Sequence, residues 1–172
     1  MNHLMGVITF KAAEYRALAE DKSATTMAGV IVVVVALVVG LVSALLVSTA
    51  AALGGMMVNP VGLLIRTVVG SLIGWFVCAW VTALVAGLFG GKTDTGEMLR
   101  VLGFVNVFQL LNVIPVLGSL VGLVLGVIGT LLGIREAAEV DNMKALLIAV
   151  VAWVVIFVVA VVLGMVFGLV GL

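Results

Sequence analysis

A chain of 172 residues that is 65% apolar and 9% charged, with a mean hydropathy of +1.49, lies far outside the range of soluble domains and predicts an integral membrane protein. Spans of about 20 residues each, crossing a hydrocarbon layer about 30 Å thick, use up most of that length and exclude an added soluble catalytic domain. Eight basic and eight acidic residues cancel, which excludes a polybasic surface for nucleic acid; a single His3 and a single Cys78 leave no His-based triad, metal cluster or intrachain disulfide to build.

Residues 1–22, "MNHLMGVITFKAAEYRALAEDK", mix charges with Phe10, Ala13, Ala17 and Leu18, which share one arc at 100° per residue. They predict a short helix at the membrane interface, with a solvated tail as the alternative. From Ala24 to Leu53 the chain carries no charge and Ser23 stands where an N-cap belongs, so 24–53 reads as the first span. A signal peptide is the competing reading, with small residues for cleavage at "TAAALGG", but length favours an anchored span, since a signal's apolar region is only about 7 to 15 residues. "GGMMVNP" then breaks the chain, and the next apolar stretch is interrupted only by Arg66, giving a second span at about 66–89.

The polar "GGKTDTGE" sets Asp94 three residues before Glu97, the spacing of a capping box that opens a third span at 95–114. Pro115 cannot continue that helix but suits the first turn of another. "VIPVLG" is therefore a tight reversal, with Ile114, Pro115 and Gly118 as its motif, into a fourth span at 116–134. After the charged "REAAEVDNMK" the uncharged run to the end supplies a fifth span at 145–171. The expected fold is all-α: a polytopic five-helix transmembrane bundle with a short N-terminal interfacial helix, forming one domain over 1–172.

Five spans put the termini on opposite sides. Lys11, Arg16, Lys22, Lys92, Arg100, Arg135 and Lys144 share one side, and only Arg66 lies on the other. The positive-inside rule then predicts a cytoplasmic N-terminus and an external C-terminus. The carboxylates Glu14, Glu20, Asp21, Asp94, Glu97, Glu136, Glu139 and Asp141 fall on that same cytoplasmic side. Arg66 is thus expected to snorkel to lipid phosphate, with the terminal carboxylate of Leu172 as the alternative partner.

Three amides interrupt the third span: Asn106, Gln109 and Asn112. As an α-helix they would cover an arc of about 120°. They cannot face lipid cheaply, since an unpaired amide in hydrocarbon costs several kcal/mol. In the fourth span Gly118, Gly122, Gly126, Gly129 and Gly133 fall within an arc of about 80°, a groove that lets a neighbouring helix approach closely. Gly70 and Gly74 offer a shorter version in the second span. The amides read as polar attachment and the glycines as close approach, with a polar pathway for a small solute as the rival. Ser43, Ser48, Ser71 and Ser119 have no base at their depth, so no enzyme is expected.

The segments "FKAAEYRALAEDKSAT", "GGKTDTGEMLRVLGF", "LLNVIPVLGSLVGLVLGVIGTLLGIREA" and "NMKALLIAVVAWVV" together resemble the Yip domain family of Ypt/Rab-interacting membrane proteins, in its compact prokaryotic form. The most specific portion is Ile114-Pro115-Val116-Leu117-Gly118 with the later "GIREA". The resemblance implies a five-span helical domain with a cytoplasmic N-terminus in a prokaryotic inner membrane. Eukaryotic members are implicated in vesicle traffic and in homo- and hetero-oligomers. The long polar N-terminal region of those relatives is missing, so a Rab-type GTPase is not an expected partner.

The leading expectation is a non-enzymatic membrane scaffold or adaptor without cofactor or metal, linked to membrane organisation or trafficking. Its partners would be membrane lipids, a second copy of the chain or another membrane protein. The rival is a small transporter, channel or lipid-moving protein that uses the polar face of the third span, which requires a cleft beside Asn106 and Gln109.

Overall fold

The computed structural model describes the backbone of residues 2–114 and 116–170 and the side chains of 3–114 and 116–162. Among these residues every regular element is helical. Two short helices, α1 (Asn2–Ile8) and α2 (Ala12–Glu20), precede the long α3 (Ala24–Leu53) and α4 (Pro60–Leu88). A composite element follows: α5 (Thr95–Val105) is continued by a 3-10 helix, Asn106–Val113. Two more long helices, α6 (Leu117–Ala137) and α7 (Asn142–Val170), complete the chain. Helices α3, α4, α6 and α7 are each long and apolar enough to cross a membrane. Pro115 and Leu172, expected to form the reversal and to meet Arg66, lie outside the described residues.

Local chemistry sets the ends. The Asn59 side chain accepts from the backbone N–H of Val61 (3.0 Å) and Gly62 (3.2 Å), and Pro60 takes the first turn, where its missing N–H is harmless. So α4 begins six residues before Arg66, which rides exposed on its side. Ser23 does not cap α3 through its side chain; instead Asp21 Oδ1 accepts from the Ser23 N–H (2.9 Å) and hydroxyl (2.6 Å). Those bonds hold the Asp21 carboxyl below its ordinary range. Asp94 does cap α5, accepting from the Glu97 N–H at 2.8 Å. The reciprocal half of the box is not formed, because Glu97 Oε2 is buried without a partner.

The core gathers at one end of the bundle. Tyr15 and Leu18 of α2 are fully buried, together with Val7, Met98, Val101, Ile134 and Ile148. The segment 1–22 is therefore not a solvated tail: α2 packs along α6 and α5. Tyr15 donates to the Val7 carbonyl at 3.1 Å, and burial pushes its hydroxyl pKa up. Arg100 is buried in α5 and donates Nε to the Ala19 carbonyl at 2.9 Å, Nη2 to the same oxygen, and Nη1 to the Thr25 hydroxyl at 3.4 Å. Its charge lies at the C-terminal end of α2, where the helix dipole is negative. Arg16 pairs with Glu20 (2.6 Å) and with Glu139 beyond α6, and Lys92 N–H donates to Ala138 at 2.9 Å. This charged end thus collects α2, the α4–α5 loop and the α6–α7 loop.

Away from it the packing thins. Helix α4 has no buried residue before Ala79, and the large side chains of α3, α4, α6 and α7 that point outward are apolar except for Arg66 on α4 and Lys144 near the start of α7. Helices α4 and α7 pack on each other, with Ala79, Ala83 and Ala86 on one and Ala145, Ala149 and Ala152 on the other all buried. Such small residues permit close backbone approach where lipid supplies no hydrophobic drive.

Candidate functional site

The 3-10 segment is where α5 changes winding, and the change begins at Asn106. Across the interface the segment rests on α6. A Cβ on Gly122 would sit 2.9 Å from the Phe108 carbonyl oxygen, and one on Gly118 would collide with the Leu111 carbonyl and lie 2.7 Å from Ile114 Cβ. The carbonyls at 108 and 111 thus rest on bare glycine backbone, close enough for Cα–H to O contacts. Farther along, Gly129 admits Phe108 and Tyr15, and Gly133 admits Val101. Four of the five glycines of the predicted groove therefore take up this chain's own elements. Gly126 and Gly70 face open space, and Gly74 does as well.

Winding decides where the amides point. At about 100° per residue Asn106, Gln109 and Asn112 would be spread around a third of an α-helix; at three residues per turn they stack in one line. That line faces a cavity of about 720 Å³ between α4, the composite element, α6 and α7. Asn106 is half-buried and Gln109 and Asn112 are exposed to it. Among the described residues none of the three carboxamides makes a side-chain hydrogen bond within the protein. Their partners must come from what fills the cavity.

The other walls repeat the pattern. Ser71, Cys78 and Thr82 on α4 line the cavity, as do Ser119 and Thr130 on α6. Ser71 to Thr82 and Ser119 to Thr130 are both eleven-residue steps, which return to the same helix face within about 20° and rise about 16 Å. The polar groups form a ladder of rungs, two hydroxyls on each of α4 and α6 beside the three amides. Trp75 and Trp153 stand beside it with Leu123, Val127 and Ile156, and Thr82, Ile134 and Ala149 lie toward the charged end. Trp75 is pinned, donating Nε1–H to the Leu99 carbonyl at 2.9 Å. Among the described residues no charged side chain lines the cavity; Arg66 lies elsewhere on α4, and Arg100 is turned to α2.

Three features were invisible in the sequence reading. The hydroxyl rungs carried a signal, the matched eleven-residue spacing. Burial of Arg100 carried none, because the oxygen it serves belongs to a backbone distant in sequence. His3 sits between two carboxylates, with Nδ1 3.3 Å from Glu14 Oε2 and Nε2 3.6 Å from Asp21 Oδ2; the Nδ1 approach lacks hydrogen-bond geometry. Among the described residues no group of three or more His, Cys, Asp and Glu side chains is placed to hold a metal ion.

No curated protein and no solved structure matches the chain significantly. The Yip1 domain profile matches residues 5–163, which takes in α2, the composite element, the glycine helix and nearly every cavity wall. This helical membrane protein belongs to the Yip1 domain family.

Proposed function

We propose that the protein is a non-enzymatic integral membrane protein that binds an amphiphilic molecule in the cavity and lets its polar part travel along the ladder, making it a lipid-moving protein or small carrier. One observation carries this reading: three amides aligned by 3-10 winding line the cavity without a side-chain hydrogen bond among the described residues, even where Asn112 lies beside Gly122 of α6. Amides used as attachment would each recover about 0.6 to 2 kcal/mol from an interhelical bond, and these make none. A cavity of about 720 Å³ has the size of ordinary ligand sites, which run from about 300 to 1,000 Å³.

The same reading makes the composite element a fifth span. Its 11 α-helical and 8 3-10 residues rise about 32 Å, the thickness of the hydrocarbon layer. The charged end is then cytoplasmic, the C-terminus external and the host a prokaryotic inner membrane, with α2 at the interface. A scaffold or adaptor role is the second reading, supported by the ionic surface of Arg16, Glu20 and Glu139 at the charged end; co-purification of a soluble partner that an Arg16→Ala variant loses would favour it.

The test is reconstitution into liposomes carrying a fluorescent lipid analogue whose outer-leaflet copies are bleached by dithionite. Wild type is expected to speed exchange between leaflets, and Asn106→Leu with Gln109→Leu to slow it about tenfold, the loss of roughly 1.4 kcal/mol. Exchange no faster than in empty liposomes would retire the reading.

A further inference from the structure

We infer that the molecule held by the cavity is uncharged: a glyceride lipid bearing free hydroxyl groups, rather than a phospholipid, an ion or a charged metabolite. The inference rests on the proposed binding function and adds the chemistry that selects the ligand.

The polar inventory of the walls is narrow. It consists of the three carboxamides of the 3-10 segment, the hydroxyls of Ser71, Thr82, Ser119 and Thr130, the Cys78 thiol and the Trp153 N–H, with the Trp75 N–H already engaged by Leu99. Each of these carboxamides and hydroxyls both donates and accepts. A hydroxyl on the ligand does the same, so each can be satisfied at any rung whichever way it is turned. A phosphate offers only acceptors and an ammonium only donors, so either would use only the donor half or only the acceptor half of each wall group.

Charge separates the classes more sharply. Among the described residues no Lys, Arg, His, Asp or Glu lines the cavity. A net charge drawn into a low-dielectric space without a counter-charge loses hydration that neutral dipoles do not restore. The walls also decide between a free polyol and a lipid-borne one. Leu102, Val105, Leu123, Val127 and Ile156, with the ring of Trp153, present an apolar surface that a small polyol would leave facing water. An acyl or glycerol backbone covers it while the hydroxyls meet the rungs. Gly126 and Gly74 line this space with nothing within 4 Å of their would-be Cβ atoms, leaving width for a chain beside the head.

The experiment uses the full chain in nanodiscs of phosphatidylcholine, phosphatidylglycerol and dioleoylglycerol in known proportion, with lipids that stay bound after release read by native mass spectrometry. Dioleoylglycerol is expected to be enriched about tenfold over its share of the disc, and Gln109→Leu to lower that enrichment severalfold. Cys78, the sole cysteine and a cavity residue, gives a second readout on unaltered protein: N-ethylmaleimide should label it more slowly when dioleoylglycerol is added to phosphatidylcholine discs. Phosphatidylglycerol enriched as strongly as dioleoylglycerol would overturn the inference about charge and leave cavity binding standing. Free glycerol protecting Cys78 as well as the lipid does would overturn the glyceride. No lipid retained and no protection by any of them would overturn both the inference and the binding function beneath it.

Discussion

Arg100 shows how one side chain can tie two parts of the molecule. Its guanidinium is buried and spends its hydrogens on the Ala19 carbonyl and the Thr25 hydroxyl, so the N-terminal segment is held by a group on the central helix. Arg100→Gln is expected to lower thermal stability in detergent by about 1 to 3 kcal/mol, leaving Ala19 underserved. Arg100→Lys should restore only part of this, since one ammonium cannot reproduce the fork. The glycines divide in the same way. Gly133→Ala should destabilise by about 1 to 3 kcal/mol because the added carbon meets Val101. Gly70→Ala should be neutral or stabilise by up to about 1 kcal/mol, as nothing lies near it. At the surface, the hydrogen bond from Arg16 holds the Glu139 carboxyl below its ordinary 4.5. A carboxyl depressed in the folded state stabilises above that ordinary value and loses its contribution as pH falls through the lower folded one. The protection factor of α2 amides, with the intrinsic pH dependence of exchange divided out, should therefore be flat from neutral pH to about 4.5 and fall in the more acid range; a fall already at pH 6 would assign α2 docking to other groups.

At the scale of elements, the Asp94 start of α5 was read from the sequence, while the Asn59 cap that starts α4 at Pro60, the failure of Ser23 to cap α3 and the 3-10 winding were not. Asn59-Pro60, Asp94 and the Gly-rich breaks act through bonds to their own neighbours, so short windows of sequence contain them. Asn59→Ala should cost about 1 kcal/mol of α4 stability for that local reason. The 3-10 segment is different, because what favours it is the bare backbone of Gly118 and Gly122 on the next helix. An α-helical reading placed the amides on a broad face and left packing ahead of a pathway; the tighter turn puts them in a row on open space. Gly122→Leu should push the segment off α6 and lower the melting temperature. An unchanged melting temperature would mean that glycine contact does not set the winding. The first 22 residues were equally open, since their weak apolar arc fits an interface helix or a tail, and only Tyr15 reaching Gly129 and Gly133 decides that α2 is part of the bundle.

For the whole molecule, composition already implied a helical membrane protein, and the cavity arises from unequal packing along the bundle. The charged end is closed by Ala-on-Ala contact, α2 and the Arg100 bonds, while α4 before Ala79 lays Leu64 and Thr67 against Gly40 of α3 and fully buries no residue. Tags at Met1 and Leu172 should be reachable from opposite sides of sealed vesicles if the composite element spans; the same side for both would leave it short of crossing.

The row of amides on open, hydrated space is the claim on which the rest depends. Its most direct measurement is a cysteine scan of 105–113 in a Cys78→Ala background, reading the rate of maleimide labelling in liposomes, because a thiol reacts as thiolate and so reports water beside it. Labelling is expected to peak at 106, 109 and 112 with a strict period of three. A period of 3.6, or uniform resistance across the segment, would contradict the account.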